Sequence, residues 1–296
     1  MTERRDIEFR AEGGVTLRGW FFVPDGDGPH PAITMAHGYA GVKEFRLAAF
    51  AEAFAEAGFA VLVHDHRGFG ASDGEPRHDV NPWTQVEDWR RAISFLECQP
   101  EVDGDRIGVW GTSYAGGHAI VLGATDQRVK VVVTQVPNIS GYRQALRRIP
   151  PHLVADLEAS FVEEERVEAR GEALRYQKIV SADSTEPASY RSPDALEFYL
   201  QDIGDGVWEN TVTVRSTRWA RMYEPGAFIE RVSPKPLLMI VGTDDTLTIT
   251  AIELAAYQQA LEPKRLTLID GGHFDPYTNQ FEVSSGAARD WFLEHL

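Results

Sequence analysis

Apolar positions along the chain follow two periods in turn. Near the start, "DIEFRA" and "VTLRGWFFVP" alternate as strands do, with Gly13 and Gly14 between them as the turn of a hairpin. "PAITMAHG" is a short apolar run that stops at Gly38. "RLAAFAEAFAEAGF" has helical spacing and ends at Gly58, a C-cap residue. "AVLVHDHRG" reads as the next strand, and "VEDWRRAISFLEC" places Val86, Trp89, Ile93 and Leu96 at helical spacing. "RIGVWG" is again a strand, followed by a helix from near Ser113, and then "VKVVVTQV" is apolar and β-branched. "PLLMIVG" and "RLTLID" complete the strands, and "VSSGAARDWFLEHL" is the closing helix. Near-continuous apolar strands alternating with helices predict an α/β protein. Its central sheet is mostly parallel and flanked by helices, with an antiparallel start.

The alternation breaks once. From Asn138 to Lys235 no core strand is legible. "YRQALRRIPPHLVADLEASFVEEERVEAR" reads as helix divided at Pro150 and Pro151, and "SPDALEFYLQDIG" as a second helix with Ser192 as N-cap and Pro193 at its first position. A structureless loop this long is improbable inside a compact domain. We therefore expect three parts: residues 1–137 as the first part of the core, 138–232 as an inserted, mainly helical cap, and 233–296 as the rest of the core.

Composition narrows the function classes. With 296 residues, 43% apolar and 25% charged, the chain suits one large globular domain with an insertion. No apolar run approaches the roughly 18 residues of a membrane span. The first residues lack the apolar stretch of a signal peptide. Cys98 is the single cysteine, so no internal disulfide forms, and a half-buried place at a helix end is expected for it. These features point to a cytoplasmic protein. A net charge of −16 repels phosphate backbones, which argues against nucleic acid; the charge itself says little about the substrate, and the partner expected from the candidate chemistry is a small-molecule substrate. A homo-oligomer paired through the inserted segment is compatible with the sequence, although nothing in it compels one.

The chemistry gathers at "VWGTSYAGGH". Gly111-Thr112-Ser113-Tyr114-Ala115 follows a strand and opens a helix, the setting of a nucleophile elbow. The pattern is G-x-S-x-G, with Ala115 at the last position. A serine hydroxyl is a weak nucleophile and needs a base, which in turn needs an orienting acid. "PLLMIVG" ends in Thr243-Asp244-Asp245, and "RLTLID" ends in Gly271-Gly272-His273. Each group stands just past a strand, in the order Ser, Asp, His. Ser113, His273 and Asp245 are thus the candidate nucleophile, base and acid, with Asp244 left to the loop. Acyl transfer also needs donors for an oxyanion. The backbone N–H groups of Tyr114 and Tyr39 are the candidates, and His37 is read as a loop organiser.

At this point the chain resembles the α/β-hydrolases. The residues that carry the likeness are His37-Gly38, Asp65-His66-Arg67-Gly68-Phe69-Gly70-Ala71-Ser72, Gly111 to Ala115, Asp245 and His273. "HGYAGVKE" and "YEPGAFIERVSPKPLLMIVG" resemble more closely the dienelactone-hydrolase-related group that includes polyketide-transferase-like hydrolases. The resemblance implies an α/β-hydrolase fold with Asp65, Arg67 and Ser72 as scaffold. It also implies hydrolysis of an ester, lactone or thioester, no cofactor and no metal. Carbon–carbon cleavage of a β-diketone would use the same three residues. A ligand-binding protein that retains the pocket, and a peptidase, stand as further readings. Within the inserted segment Trp208, Tyr142 and Arg143 are the candidate substrate contacts. Otherwise Arg143 and Arg147 are expected to pair with the Glu163 to Glu165 run.

Overall fold

A computed structural model describes residues 2–296. Its elements run β1 (Glu3–Arg10), β2 (Thr16–Val23), β3 (His30–Ala36), α1 (Leu47–Glu56), β4 (Ala60–His64), α2 (Pro82–Glu97), β5 (Val102–Thr112), α3 (Tyr114–Thr125) and β6 (Val129–Gln135). They continue with α4 (Gly141–Arg148), α5 (Val154–Ala169), β7 (Tyr176–Val180), β8 (Ala188–Tyr190), α6 (Pro193–Tyr199), β9 (Val212–Thr213) and α7 (Val214–Met222). The chain closes with β10 (Leu237–Gly242), α8 (Thr250–Gln259), β11 (Lys264–Ile269) and α9 (Phe281–His295).

The central sheet has eight strands in the order β1-β2-β4-β3-β5-β6-β10-β11. β1 pairs antiparallel with β2 from Glu3↔Val23 to Arg10↔Thr16, and β2 antiparallel with β4. From β4 to β11 every pairing is parallel. β4 and β10 are buried along their whole length, because helices cover both faces of a parallel sheet. β3 and β5 lie at the centre, so the turn after β5 emerges midway along the carboxyl edge.

Helix α2 begins where the sequence caps it. Asn81 Oδ1 accepts from the Trp83 and Thr84 N–H groups at 3.1 and 3.4 Å, and Pro82 takes the first helical position of α2. α2 then buries Trp89, whose Nε1 donates to Thr34 Oγ1 at 2.9 Å. α3 is buried all round, as the central helix of a layered fold must be. It sits close to its neighbours because a Cβ at Gly116 would lie 2.7 Å from Thr134 Oγ1, and one at Gly117 2.7 Å from Pro225 Cγ.

One expectation needs correction here, and one feature of the inserted segment was not anticipated. Cys98 is exposed at the end of α2. Between β6 and β10 the chain is not only helical: β7 pairs parallel with β8 and antiparallel with β9 in a small second sheet. These strands escaped notice because they are two to five residues long and lack an apolar run. Asn210 completes the sheet, its Oδ1 accepting from the Ile179 and Val180 N–H groups and its Nδ2 donating to Val180 O.

Candidate active site

Ser113 sits between β5 and α3 with φ 55° and ψ −118°, a strained conformation for a side-chain-bearing residue. The strain is held by hydrogen bonds on both sides. The Ser113 N–H donates to Gln135 O at 2.8 Å, and its carbonyl accepts from Asn138 and Gly116. Glycine is required at 111, where a Cβ would lie 2.1 Å from Ala115 O. Ala115 is fully buried, and its methyl is accommodated where the usual pattern has glycine. Across the site, a Cβ on Gly38 would lie 2.9 Å from Ser113 Cβ, so the loop after β3 touches the serine directly.

The structure brings the three predicted groups together. His273 Nε2 lies 2.9 Å from Ser113 Oγ, and His273 Nδ1 lies 2.6 Å from Asp245 Oδ2. The loops that carry them are joined by the Asp244 N–H donating to Gly271 O at 2.9 Å. Gly271, at φ 121°, makes the turn that aims His273 inward. Asp244 is exposed and accepts from Thr243 Oγ1, so it belongs to the loop.

Asp245 is nearly encased. Its Oδ1 accepts from the Leu247 and Thr248 N–H groups at 2.7 and 3.0 Å, and its Oδ2 from Thr248 Oγ1 at 2.7 Å. Burial would push this carboxyl up. The charge and hydrogen bond of His273, with the donors from Thr248 and Leu247, outweigh it and hold Asp245 down to about 2. Thr248 and Glu253 behind it were missed in the sequence. The signals were an N–H donor three residues past the acid, and a glutamate on the buried stripe Ile252, Glu253, Ala256 of α8.

The space in front of Ser113 and His273 measures about 330 Å3, its open mouth included. Phe45, Leu47, Phe198, Tyr199, Phe274 and Tyr277 form its walls. Phe198 stacks on Phe274 with ring centres 4.5 Å apart. α6 thus supplies two walls, and it also ties down the loop after β3: Tyr199 Oη donates to Tyr39 O at 2.8 Å. Trp208 Nε1 donates to Ala40 O at 2.8 Å, so Trp208 stands behind Tyr199 and supports that loop rather than lining the space.

Tyr142 and Arg143 are exposed on α4 and are not brought to the pocket walls. The expected pairing of the α4 arginines does not form either. Glu163 pairs with Arg166 and Arg170, Glu164 with Arg175, and Glu165 with Arg218. Arg148 instead lies over the Tyr190 ring, 5.3 Å from its centre.

Behind the site, neutral histidines set the backbone. Burial pushes His37 down. Its Nε2 accepts from the His66 N–H at 3.2 Å, so the ring proton is on Nδ1, which donates to Gly38 O at 3.0 Å. The stretch Asp65 to Ser72 is structural: Asp65 pairs with Lys43 at 2.6 Å, Arg67 with Asp88 at 2.5 Å, and Ser72 Oγ donates to Asp65 O at 2.7 Å.

Known proteins agree with this architecture. The family model described as X-Pro dipeptidyl-peptidase (S15 family) matches residues 13–275. A polyketide transferase, ATR5 of Stachybotrys chlorohalonatus, is 31% identical over 92% of this chain and 90% of its own. A thiohydrolase, aneE of Aspergillus aculeatus, is 28% identical over 88% of this chain and 83% of its own. The crystal structure of the α/β hydrolase GrgF from Penicillium superposes with a TM-score of 0.85 at 28% identity, covering 99% of both chains. The sheet order, the serine turn after β5 and these likenesses lead to one conclusion: the chain is an α/β-hydrolase enzyme and belongs to the S15 family.

Proposed function

We propose that the protein is a serine hydrolase that cleaves a compact carboxylic ester, lactone or thioester through an acyl-enzyme on Ser113. The observation that carries this reading is the unbroken line Ser113 Oγ, His273 Nε2, His273 Nδ1, Asp245 Oδ2, at 2.9 and 2.6 Å, on a strained turn. His273 takes the hydroxyl proton as Ser113 attacks the carbonyl carbon, while Asp245 holds the imidazole in the right tautomer. The tetrahedral oxyanion is received by the N–H groups of Tyr39 and Tyr114. Among the described residues no acceptor occupies either amide, and Gly38 brings the first close to Ser113. His273 then protonates the leaving group, and water, activated by the same imidazole, releases the acid.

The walls select the acyl part. They are aromatic and aliphatic, which favours a compact, apolar acyl group. The segment from 138 to 232 acts as a cap, since Phe198 and Tyr199 close the pocket from it. The thiohydrolase relative supports keeping thioesters in this reading. A peptidase that captures a free α-ammonium would need a carboxylate near the serine, and none of the pocket-lining side chains carries one.

The relative named a polyketide transferase favours a second reading, transfer of the acyl group to a nucleophile other than water. The test is turnover of chromogenic esters and thioesters of increasing acyl size, with Ser113→Ala beside the wild type and the products identified. Free acid lost with the mutant supports hydrolysis. Loss of substrate without free acid supports transfer. Turnover that survives Ser113→Ala sinks both.

A further inference from the structure

Glu253 is 0% exposed and sits on the face of α8 turned toward the acid loop. Its Oε1 lies 3.2 Å from Thr248 Oγ1, and its Oε2 has no hydrogen-bond partner among the described residues. Thr248 Oγ1 in turn lies 2.7 Å from Asp245 Oδ2 and 3.3 Å from His273 Nδ1. The imidazole proton on Nδ1 belongs to Asp245, at 2.6 Å.

A threonine hydroxyl has one proton to give. The shorter contact and the charged acceptor place it on Asp245. The oxygen of Thr248 then faces Glu253 Oε1 with a lone pair. Two bare oxygens at that distance repel, so a proton must lie between them, and only Glu253 can supply it. Burial agrees: together with the like charge of Asp245 it pushes the Glu253 carboxyl well up. A carboxylate here would be a second buried anion beside the first, with an oxygen left bare. A neutral acid leaves only an unpaired carbonyl.

We propose that Glu253 is a positioning residue for the triad: as a neutral carboxylic acid it donates to Thr248 and so commits the Thr248 hydroxyl to Asp245. The chain Glu253 to Thr248 to Asp245 to His273 then has one direction of donation up to the carboxylate. Without the first donor, the Thr248 hydroxyl is free to turn away, and Asp245 loses a bond that fixes the imidazole. The inference rests on the reading of Ser113, His273 and Asp245 as the catalytic triad.

The test uses the full-length protein and a fluorophosphonate probe, whose rate of attachment to Ser113 needs no knowledge of the substrate. Glu253→Gln keeps an N–H donor toward Thr248 and is expected to label within about threefold of the wild type. Glu253→Met removes the donor at similar volume and is expected to label roughly 10–100-fold more slowly. On any ester that the wild type turns over, its kcat falls and its KM does not. Thr248→Val is expected to show the same loss, and the double variant no further loss. Wild-type labelling of Glu253→Met, or Glu253→Gln as slow as Glu253→Met, overturns the proposal; so do losses that multiply in the double variant. Should Glu253→Met fail to fold, a wild-type rate in Thr248→Val overturns it instead. A wild type that does not label at all overturns the triad reading itself.

Discussion

At the scale of single residues, the site is built from positions where one atom more would be too many. Gly38 is the clearest. Its missing side chain lets the loop of Tyr39 approach Ser113, so Gly38→Ala should push apart the serine and the Tyr39 N–H proposed to receive the oxyanion. We expect kcat to fall roughly 100-fold with the fold intact, measured by ester kinetics beside circular dichroism. Asp245 tests the other end of the line. Asp245→Asn keeps the shape but presents the imidazole in the wrong tautomer, and kcat should fall about 10⁴-fold. A loss below tenfold would remove Asp245 from the triad. Ser113, His273 and Asp245 were all legible from their place after strands. Thr248 and Glu253 were not, because their proposed role rests on which oxygen faces which.

At the scale of elements, the strands of the core announced themselves by continuous apolar runs. The helices announced themselves by spacing; Ser192, expected as an N-cap, stands at that position of α6 but makes no side-chain capping bond. The cap of α2 can be tested apart from function. Asn81→Ala leaves the Trp83 and Thr84 N–H groups without their acceptor and should lower stability by about 1 kcal/mol, read from urea unfolding, with activity unchanged. The segment between β6 and β10 was less legible. Its helices followed from proline and periodicity, but β7, β8 and β9 are too short to show a period. Its ion pairs also run differently from the expectation. Arg218 of α7 reaches Glu165 of α5, and Arg215 pairs with Asp79 of the core at 2.8 Å, leaving the α4 arginines without those partners. Neighbours in sequence gave no hint of this, since α7 lies some fifty residues beyond α5.

At the scale of the whole molecule, burial of Asp245 ties stability to acid. Asp245 is held at about 2, below its ordinary 3.8. A depressed carboxyl contributes stability above its unfolded value, and the contribution is lost as pH falls through the folded one. Between about pH 4 and pH 2 the urea midpoint of the wild type should therefore fall more steeply than that of Asp245→Asn. Parallel slopes in the two proteins would contradict the assignment. The −16 net charge acts over the same range in a general way, since protonation of many surface carboxylates changes self-repulsion in both proteins alike.

Local pattern was enough for the class of fold, the order of the core elements and the candidate residues Ser113, Asp245 and His273, because strand period and tight turns are set by neighbours along the chain. Those signals also placed Ser113, Asp245 and His273 at strand ends, where an open α/β sheet gathers its site. Packing decided the rest. It placed Phe198 and Tyr199 in the pocket wall while Tyr142 and Arg143 stayed outside, and set Trp208 behind Tyr199 against the loop after β3. It also buried Glu253 against the acid. These outcomes depend on distances between residues from 5 to 168 positions apart, and no period or motif encodes a distance of that kind.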